Sequence, residues 1–389
     1  MNNFVFDCKT TIIFGKNTED SVGSETKKYA DKVLLVAGGG SIKRSGLYDR
    51  VTKNLTAAGV KYIDFGGAKP NPVLSLVHEG IKVCRDNGIK FILAVGGGSA
   101  IDTAKGIAMG VPYDGDVWDF YCGKGTPKEA LPVGVVLTIA AAGSESSTSS
   151  VITNEETAQK IGIGYDCIRP MFAIMNPELT YTLPAYQTAS GCVDIMLHTF
   201  ERYFTNVEDV ELIDRMAESL LKTMVDKSPR VLKDPENYNL RAEIMWAGAL
   251  SHNDLMGTGR VPDFASHSIE HELSAIYDVT HGAGLAVVFP AWCKYVYKHN
   301  LKRFVQFAVR VMNVEQDFEN PERTALAGIE KLEDLFASIG VETRLSQMGI
   351  DDKRWDEMAD KCTAGDTMKV GNFVPLNKKD IINIFELCR

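Results

Sequence analysis

Five residues between positions 194 and 281 have the types and spacing of a metal site. In SGCVDIMLHTFERYF, Asp194 and His198 stand four apart, which on a helix puts them on one face about one turn apart. In DFASHSIEHELSAIYDVTHGAG, His267 and His271 share that relation, and His281 follows on a Gly-rich turn. The chain has seven histidines and three of them fall between 267 and 281, which sets this group apart from a lone histidine in a core or on a surface. His78, His252 and His299 read as that ordinary kind. A zinc-protease reading fails, because His271-Glu272 continues Leu-Ser-Ala and lacks the second histidine of H-E-x-x-H. Several imidazoles with one carboxylate suit a borderline divalent ion such as Fe(II) or Zn(II) rather than Mg(II) or Ca(II). If Asp194 is the only anionic ligand, the site keeps about one positive charge and can polarise a carbonyl or stabilise an alkoxide.

Two other stretches point to a phosphate. Val33 to Arg44 reads VLLVAGGGSIKR and Phe91 to Lys105 reads FILAVGGGSAIDTAK, so an apolar strand twice runs through Gly-Gly-Gly-Ser into a helix. Such a turn leaves backbone N–H groups and the positive end of the helix dipole open, with no Cβ to block an anion. The second turn fits a pyrophosphate, with Gly97 and Gly98 in the turn and Ser99 and Asp102 in the first turn of the following helix. The usual dinucleotide fingerprint is absent: counting G-x-G-x-x-G from Gly96 puts Ile101 at the third glycine, and the Walker lysine is missing. The first turn is then expected to face the adenosine ribose, where NAD enzymes commonly place a carboxylate for the 2′-hydroxyl. Gly38, Gly39, Gly40 and Ser41, followed by Lys43 and Arg44, offer N–H groups, a hydroxyl and cations but no acid. They suit a 2′-phosphate, so the expected cofactor is NADP(H).

The elements that must carry these residues fall into two regions. VLLVAGG (33–39), YIDFGGA (62–68), FILAVGG (91–97) and PVGVVLTI (132–139) are short β-branched runs bounded by Gly or Pro. Between them lie helical stretches such as GLYDRVTKNLTAAG and NPVLSLVHEGIKVCRDNG, each ending at a capping glycine. That order, with fully apolar strands, implies a parallel sheet covered on both faces. SSVITNEETAQKIGIG reads as a hairpin. Beyond FAIMNPELTYTLP the spacing is helical to the end, as in ELIDRMAESLLKTMVDKSPRVL, NLRAEIMWAGALSHNDLMG and TALAGIEKLEDLFASIG. The expected division is an α/β domain over 1–180 and an all-helical domain over 181–389.

Bulk properties bound the partners. At 389 residues the chain suits two or three domains, and 45% hydrophobic with 24% charged residues is ordinary globular composition. A formal charge of -9 argues against nucleic acid or an anionic membrane surface, which leaves a small molecule as the expected partner. MNNFVFDCKT lacks the regions of a signal peptide and no apolar run approaches a membrane span, so the protein is expected in the cytoplasm. The eight cysteines show no CxxC pair and read as reduced thiols.

Together the two GGGS turns, LTIAAAGSE, NPELTYTLP, Asp194 to His198 and SHSIEHELSAIYDVTHGAGLAVVFPAW resemble the iron-containing (group III) alcohol dehydrogenases. Within them GGGSIK and HELSAIYDVTHG are similar to the NADPH-dependent butanol dehydrogenases and aldehyde reductases. The resemblance extends from FGKN at 14–17 to the C-terminal helices. It implies a Rossmann-like parallel-sheet domain before an all-α domain, the dehydroquinate synthase-like arrangement, with the site in a cleft between them and a homodimer as the assembly. The family's metal ligands map onto Asp194, His198, His267 and His281, and His271 matches a histidine beside the nicotinamide that relays a proton. Gly97, Gly98 and Ser99 match the pyrophosphate contacts and Asp102 the nicotinamide-side contact. Thr138 and Ser144 match the loop flanking the cofactor, and Lys160 a lysine reaching the nicotinamide ribose. The family loop often reads T-A-G-T-G-S-E, whereas this chain has Ala140-Ala141-Ala142-Gly143-Ser144-Glu145, so a threonine contact at Ala142 is lost. Asn176 also stands where an Asp before Pro is common.

The expected reaction is reduction of a small aldehyde such as butanal, reversible to oxidation of a small primary alcohol. Trp118, Trp246 and Phe264 are candidates for an apolar substrate wall. Two other readings compete: a metal-dependent lyase resembling dehydroquinate synthase, which needs basic residues around the metal, and a non-catalytic nucleotide-binding protein.

Overall fold

A computed structural model describes all 389 residues, and the chain divides into two compact units. One is Asp7–Leu183; the other joins Met1–Phe6 to Pro184–Arg389.

The first unit is a Rossmann-like parallel sheet. Its strands are β1 (Thr11–Phe14), β2 (Lys32–Gly38), β3 (Lys61–Ala68), β4 (Ile92–Gly96) and β5 (Val133–Leu137), then β6 (Ser149–Asn154), β7 (Gln159–Gly164) and β8 (Phe172–Met175). Six of them form one sheet in the order β1-β8-β5-β4-β2-β3, every neighbouring pair parallel. The expected hairpin is present as antiparallel β6 and β7, with Thr153 opposite Lys160. Strands β4 and β5 are buried along their whole length, as parallel strands covered on both faces must be. Two strands were not read from the sequence: TIIF and FAIM, four residues each, pair with one another at one side of the sheet. From β2 the chain goes outward to β3 and returns to β4 on the other side of β2. The order therefore reverses between β2 and β4, and ligands of open α/β sheets bind outside the C-terminal strand ends at such a point.

The second unit is helical. Its longer helices are Ala185–Tyr203, Glu211–Lys233, Tyr238–His252, Ala265–Tyr277, His281–Val296, Leu301–Arg310, Pro321–Ser338 and Lys378–Leu387. Asn237, Asn300, Asn320 and Asn377 each accept a backbone N–H at the start of one of them, satisfying a donor the helix itself cannot. The core is aromatic: Phe200 stacks on Phe289 with ring centres 4.9 Å apart, and Phe204 on Phe304 at 4.5 Å. These buried rings clamp Ala185–Tyr203 against His281–Val296 and Leu301–Arg310, each pair contributing about 0.5–1.5 kcal/mol beyond its buried area. The first residues belong here too, with Asn2 donating its N–H to Gly259 O at 2.8 Å. No helix is long and apolar enough to cross a membrane.

Candidate metal centre and nucleotide turns

Asp194, His198 and Glu201 lie four and three residues apart in Ala185–Tyr203, so they share one face, and all three are buried. His267 enters from Ala265–Tyr277, and His281 is the first residue of His281–Val296. The approach of that helix depends on Gly282, where a Cβ would lie 2.0 Å from Ser190 O, so no larger residue fits without displacing backbone. His198 Nδ1 stands 3.2 Å, His267 Nε2 3.8 Å and His281 Nε2 3.9 Å from Asp194 Oδ1. Two donors about 2.1 Å from one ion stand about 3.4 Å apart when tetrahedral. Asp194, His267 and His281 bring ligand atoms within 4.8 Å of one another and suit a shared divalent ion, whereas His198, close to Asp194, does not complete that group. Three of the atoms, Asp194 Oδ1, His198 Nδ1 and His267 Nε2, are buried with no hydrogen-bond partner. A buried polar atom left so carries a cost of about 1–3 kcal/mol, and Asp194 Oδ1 and His267 Nε2, grouped with His281, fit an ion with that donor set.

Two carboxylates that sequence reasoning missed stand behind this group. Glu201 Oε1 accepts from His267 Nδ1 at 2.8 Å and from the His267 backbone N–H at 3.1 Å. Glu270 Oε2 accepts from His281 Nδ1, and its Oε1 from Ser274 Oγ. Asp194 is thus not the only acid at the site, and the single positive charge expected from the sequence does not follow. With three carboxylates, a divalent ion gives a formal charge of -1. The buried Arg202, which donates to His198 O at 2.8 Å and contacts His252 Nδ1 at 3.2 Å, brings the sum to zero. His252, read as ordinary, lies against His198 with ring centres 4.0 Å apart. Burial first, then His267, holds His198 well below its usual range, which keeps its ring neutral and its lone pair available. Burial works against the charge on Asp194, but the surrounding histidines hold its carboxyl below the ordinary value.

His271 is half-buried, one turn after His267, with its ring 5.6 Å from that of His281. Phe264, which precedes the helix, adopts φ +62°, unusual for an aromatic residue, and this places its ring 5.3 Å from His267. Trp118 lies in the other unit, stacked on Tyr121 at 5.3 Å, and Trp246 is 42% exposed.

Both glycine turns follow neighbouring strands, β2 and β4, and Thr138 follows β5 on the other side of β4. Gly97 is forced by contact, since a Cβ there would lie 2.1 Å from Ile139 Cγ2. The helix it begins, Gly98–Gly110, has no side-chain cap and no acid in its first turn, so its first N–H groups are open to an anion. Asp102 sits one turn further in than the sequence predicts, the fifth residue of the helix, and is buried. Its carboxylate accepts from Ser144 Oγ at 2.6 Å and from Val151 N–H at 3.1 Å. Burial raises its pKa while Lys105 and, more weakly, Lys160 oppose this. Lys105, unremarked in the sequence, is fully buried and donates to the carbonyls of Ser144, Ser147 and Ser149 at 2.7, 3.0 and 2.8 Å. Together Asp102 and Lys105 tie the segment carrying Ser144 to the helix that begins at the second turn. At the first turn Gly39, Gly40, Ser41, Lys43 and Arg44 are exposed. Lys43 Nζ lies 5.0 Å over the Tyr48 ring, and the Tyr48 hydroxyl donates to Asp64 Oδ2 on β3 at 2.5 Å.

The sequence profile described as "Iron-containing alcohol dehydrogenase" matches residues 9–177, and "Fe-containing alcohol dehydrogenase family, C-terminal" matches 188–388. A Bacillus subtilis protein named "Probable NADH-dependent butanol dehydrogenase 1" is 45% identical over 99% of both chains. The Escherichia coli "NADPH-dependent aldehyde reductase YqhD" is 38% identical over 90% of both. Among solved structures, an NADH-dependent butanol dehydrogenase A from Thermotoga maritima superimposes with a TM-score of 0.96 at 38% identity, over 100% of this chain and 99% of the other.

Proposed function

Because the chain belongs to the iron-containing alcohol dehydrogenase family, we propose that it reduces small aliphatic aldehydes such as butanal with NADPH, reversibly. The observation that carries this reading is the grouping of the unpartnered Asp194 Oδ1 and His267 Nε2 with His281 Nε2, with the unpartnered His198 Nδ1 3.2 Å from Asp194 Oδ1. Asp194, His198, His267 and His281 would hold a divalent ion, Fe(II) or Zn(II). When bound, the ion supplies Lewis acidity toward the carbonyl oxygen and the nicotinamide supplies the hydride. Phe264, fixed beside His267, offers the alkyl chain an apolar face. Reduction consumes one proton, and His271, with its ring 5.6 Å from that of His281, would deliver it from a ring N–H. Gly97, Gly98 and Ser99 would take the pyrophosphate at the open helix start. Asp102, Thr138, Ser144 and Lys160 would shape the nicotinamide end of that site.

Relatives named for NADH and for NADPH both resemble this chain, so the cofactor is argued from the first turn itself. Gly38, Gly39, Gly40 and Ser41 with Lys43 present no carboxylate, and Asp64 is engaged by Tyr48. A 2′-phosphate therefore meets N–H groups, a hydroxyl and a cation. Gly39 has no atom within 4 Å of a built Cβ and no positive φ, so an aspartate fits there without strain. With butanal, kcat/KM should favour NADPH in the unmutated enzyme, and Gly39→Asp should shift the ratio toward NADH by opposing the phosphate and offering the free hydroxyl an acceptor. An unmutated enzyme that favours NADH, or an unchanged ratio in the variant, contradicts the assignment.

A further inference from the structure

The two histidines contributed by the Ala265–Tyr277 and His281–Val296 segments do not stand alone. A carboxylate can only accept a hydrogen bond. Since Glu201 takes His267 Nδ1 and Glu270 takes His281 Nδ1, both Nδ1 atoms carry the proton. In the neutral imidazole, the form that binds a metal, the lone pair is then on Nε2, and both Nε2 atoms lie within 4 Å of Asp194 Oδ1. Glu201 and Glu270 have at most 1% of their surface exposed, so neither is a solvated helix acid. Glu201 grips His267 twice, at the ring and at the backbone N–H. Glu270 has room only because residue 284 is glycine: a Cβ there would lie 2.8 Å from both Glu270 Cγ and Oε1. His198 differs, with its ring packed on His252.

We propose that Glu201 and Glu270 are positioning residues that fix the tautomer and ring direction of His267 and His281 and thereby set how tightly the divalent ion is held. The proposal rests on the metal reading above. It assigns these acids no contact with substrate or with the ion. A carboxylate behind a ligand imidazole also raises the basicity of the inward nitrogen, so the effect is expected on affinity as well as on orientation.

The test is Zn(II) affinity of the full-length protein, measured by competition with a chromophoric chelator, together with the visible spectrum of the Co(II)-loaded form. Glu201→Gln and Glu270→Gln keep side-chain shape and remove the charge. Each should weaken Zn(II) binding on the order of 10- to 100-fold and shift the Co(II) bands, while the thermal midpoint of the metal-free protein stays close to that of the unmutated chain. Gly284→Ala, which crowds Glu270 without altering its chemistry, should weaken binding in the same direction and serves if a Gln variant fails to fold. His267→Ala separates the two levels of the argument, because it should lose the ion outright. Unchanged affinity in both Gln variants, with His267→Ala metal-free, would make the carboxylates ordinary buried partners and overturn the proposal. Full affinity in His267→Ala would overturn the metal reading and the proposal with it.

Discussion

His271 and His267 are one helical turn apart, yet they have different surroundings. His267 is buried against Glu201, with its other ring nitrogen toward Asp194, while His271 is half-buried and groups with Glu270 and His281 rather than with Asp194. His271→Ala should therefore retain a full complement of metal, measured by elemental analysis, and lose kcat on the order of 10² to 10⁴. Loss of metal in that variant would show that a ligand had been taken for a relay. At this scale the sequence exposes what is chemically rare. Histidines at i, i+4 spacing stand out, but Glu201 and Glu270 are single acids on helices, indistinguishable from solvated ones until tertiary packing buries them. The available signal was spacing: Glu201 continues the Asp194 and His198 face, and Glu270 follows His267 by three. Lys105 was hidden in the same way, its burial decided by the loop carbonyls that surround it.

The helices that carry these side chains are held close by small residues and by rings. Gly282 lets His281–Val296 approach Ser190 O, where an added methyl would sit at 2.0 Å. Gly282→Ala must push the helix start away and carry His281 from Asp194. It should cost about 1–3 kcal/mol, as overpacking does, and lower metal content along with the thermal midpoint. A variant with normal stability and metal would remove Gly282 from the account. The strands and helices that the sequence revealed were those long enough to show a period or a capping glycine. Strands β1 and β8 were missed because four apolar residues carry no period of their own. Their identity comes from parallel pairing with each other and of β8 with β5, which is long-range information.

For the whole molecule, stability and activity respond to solution conditions through groups that folding buries. Glu272, with its Oε2 unpartnered, lies between Ala265–Tyr277 and Trp355–Cys362, and burial pushes it from 4.5 up to about 7 against the opposing charge of Lys361. The folded chain then holds a proton that the unfolded chain releases between about pH 4.5 and 7. Its contribution is fully present below about 4.5 and is lost as pH rises through 7, a change of roughly 3 kcal/mol at most. Glu272→Gln should accordingly raise the denaturation midpoint at pH 8 and leave it nearly unchanged at pH 4.5; equal midpoints at pH 8 would contradict this. The two-part plan, sheet then helices, was legible because period and glycine content change together near residue 180. The return of Met1–Phe6 to the helical unit was not, since nothing local in six residues encodes it. The central claim is that catalysis needs the ion expected at Asp194, His198, His267 and His281. Its most direct test is NADPH oxidation with butanal before and after chelation, followed by addition of Fe(II) or Zn(II). The account predicts that activity disappears and then returns; a metal-free preparation that turns over at the full rate would contradict it.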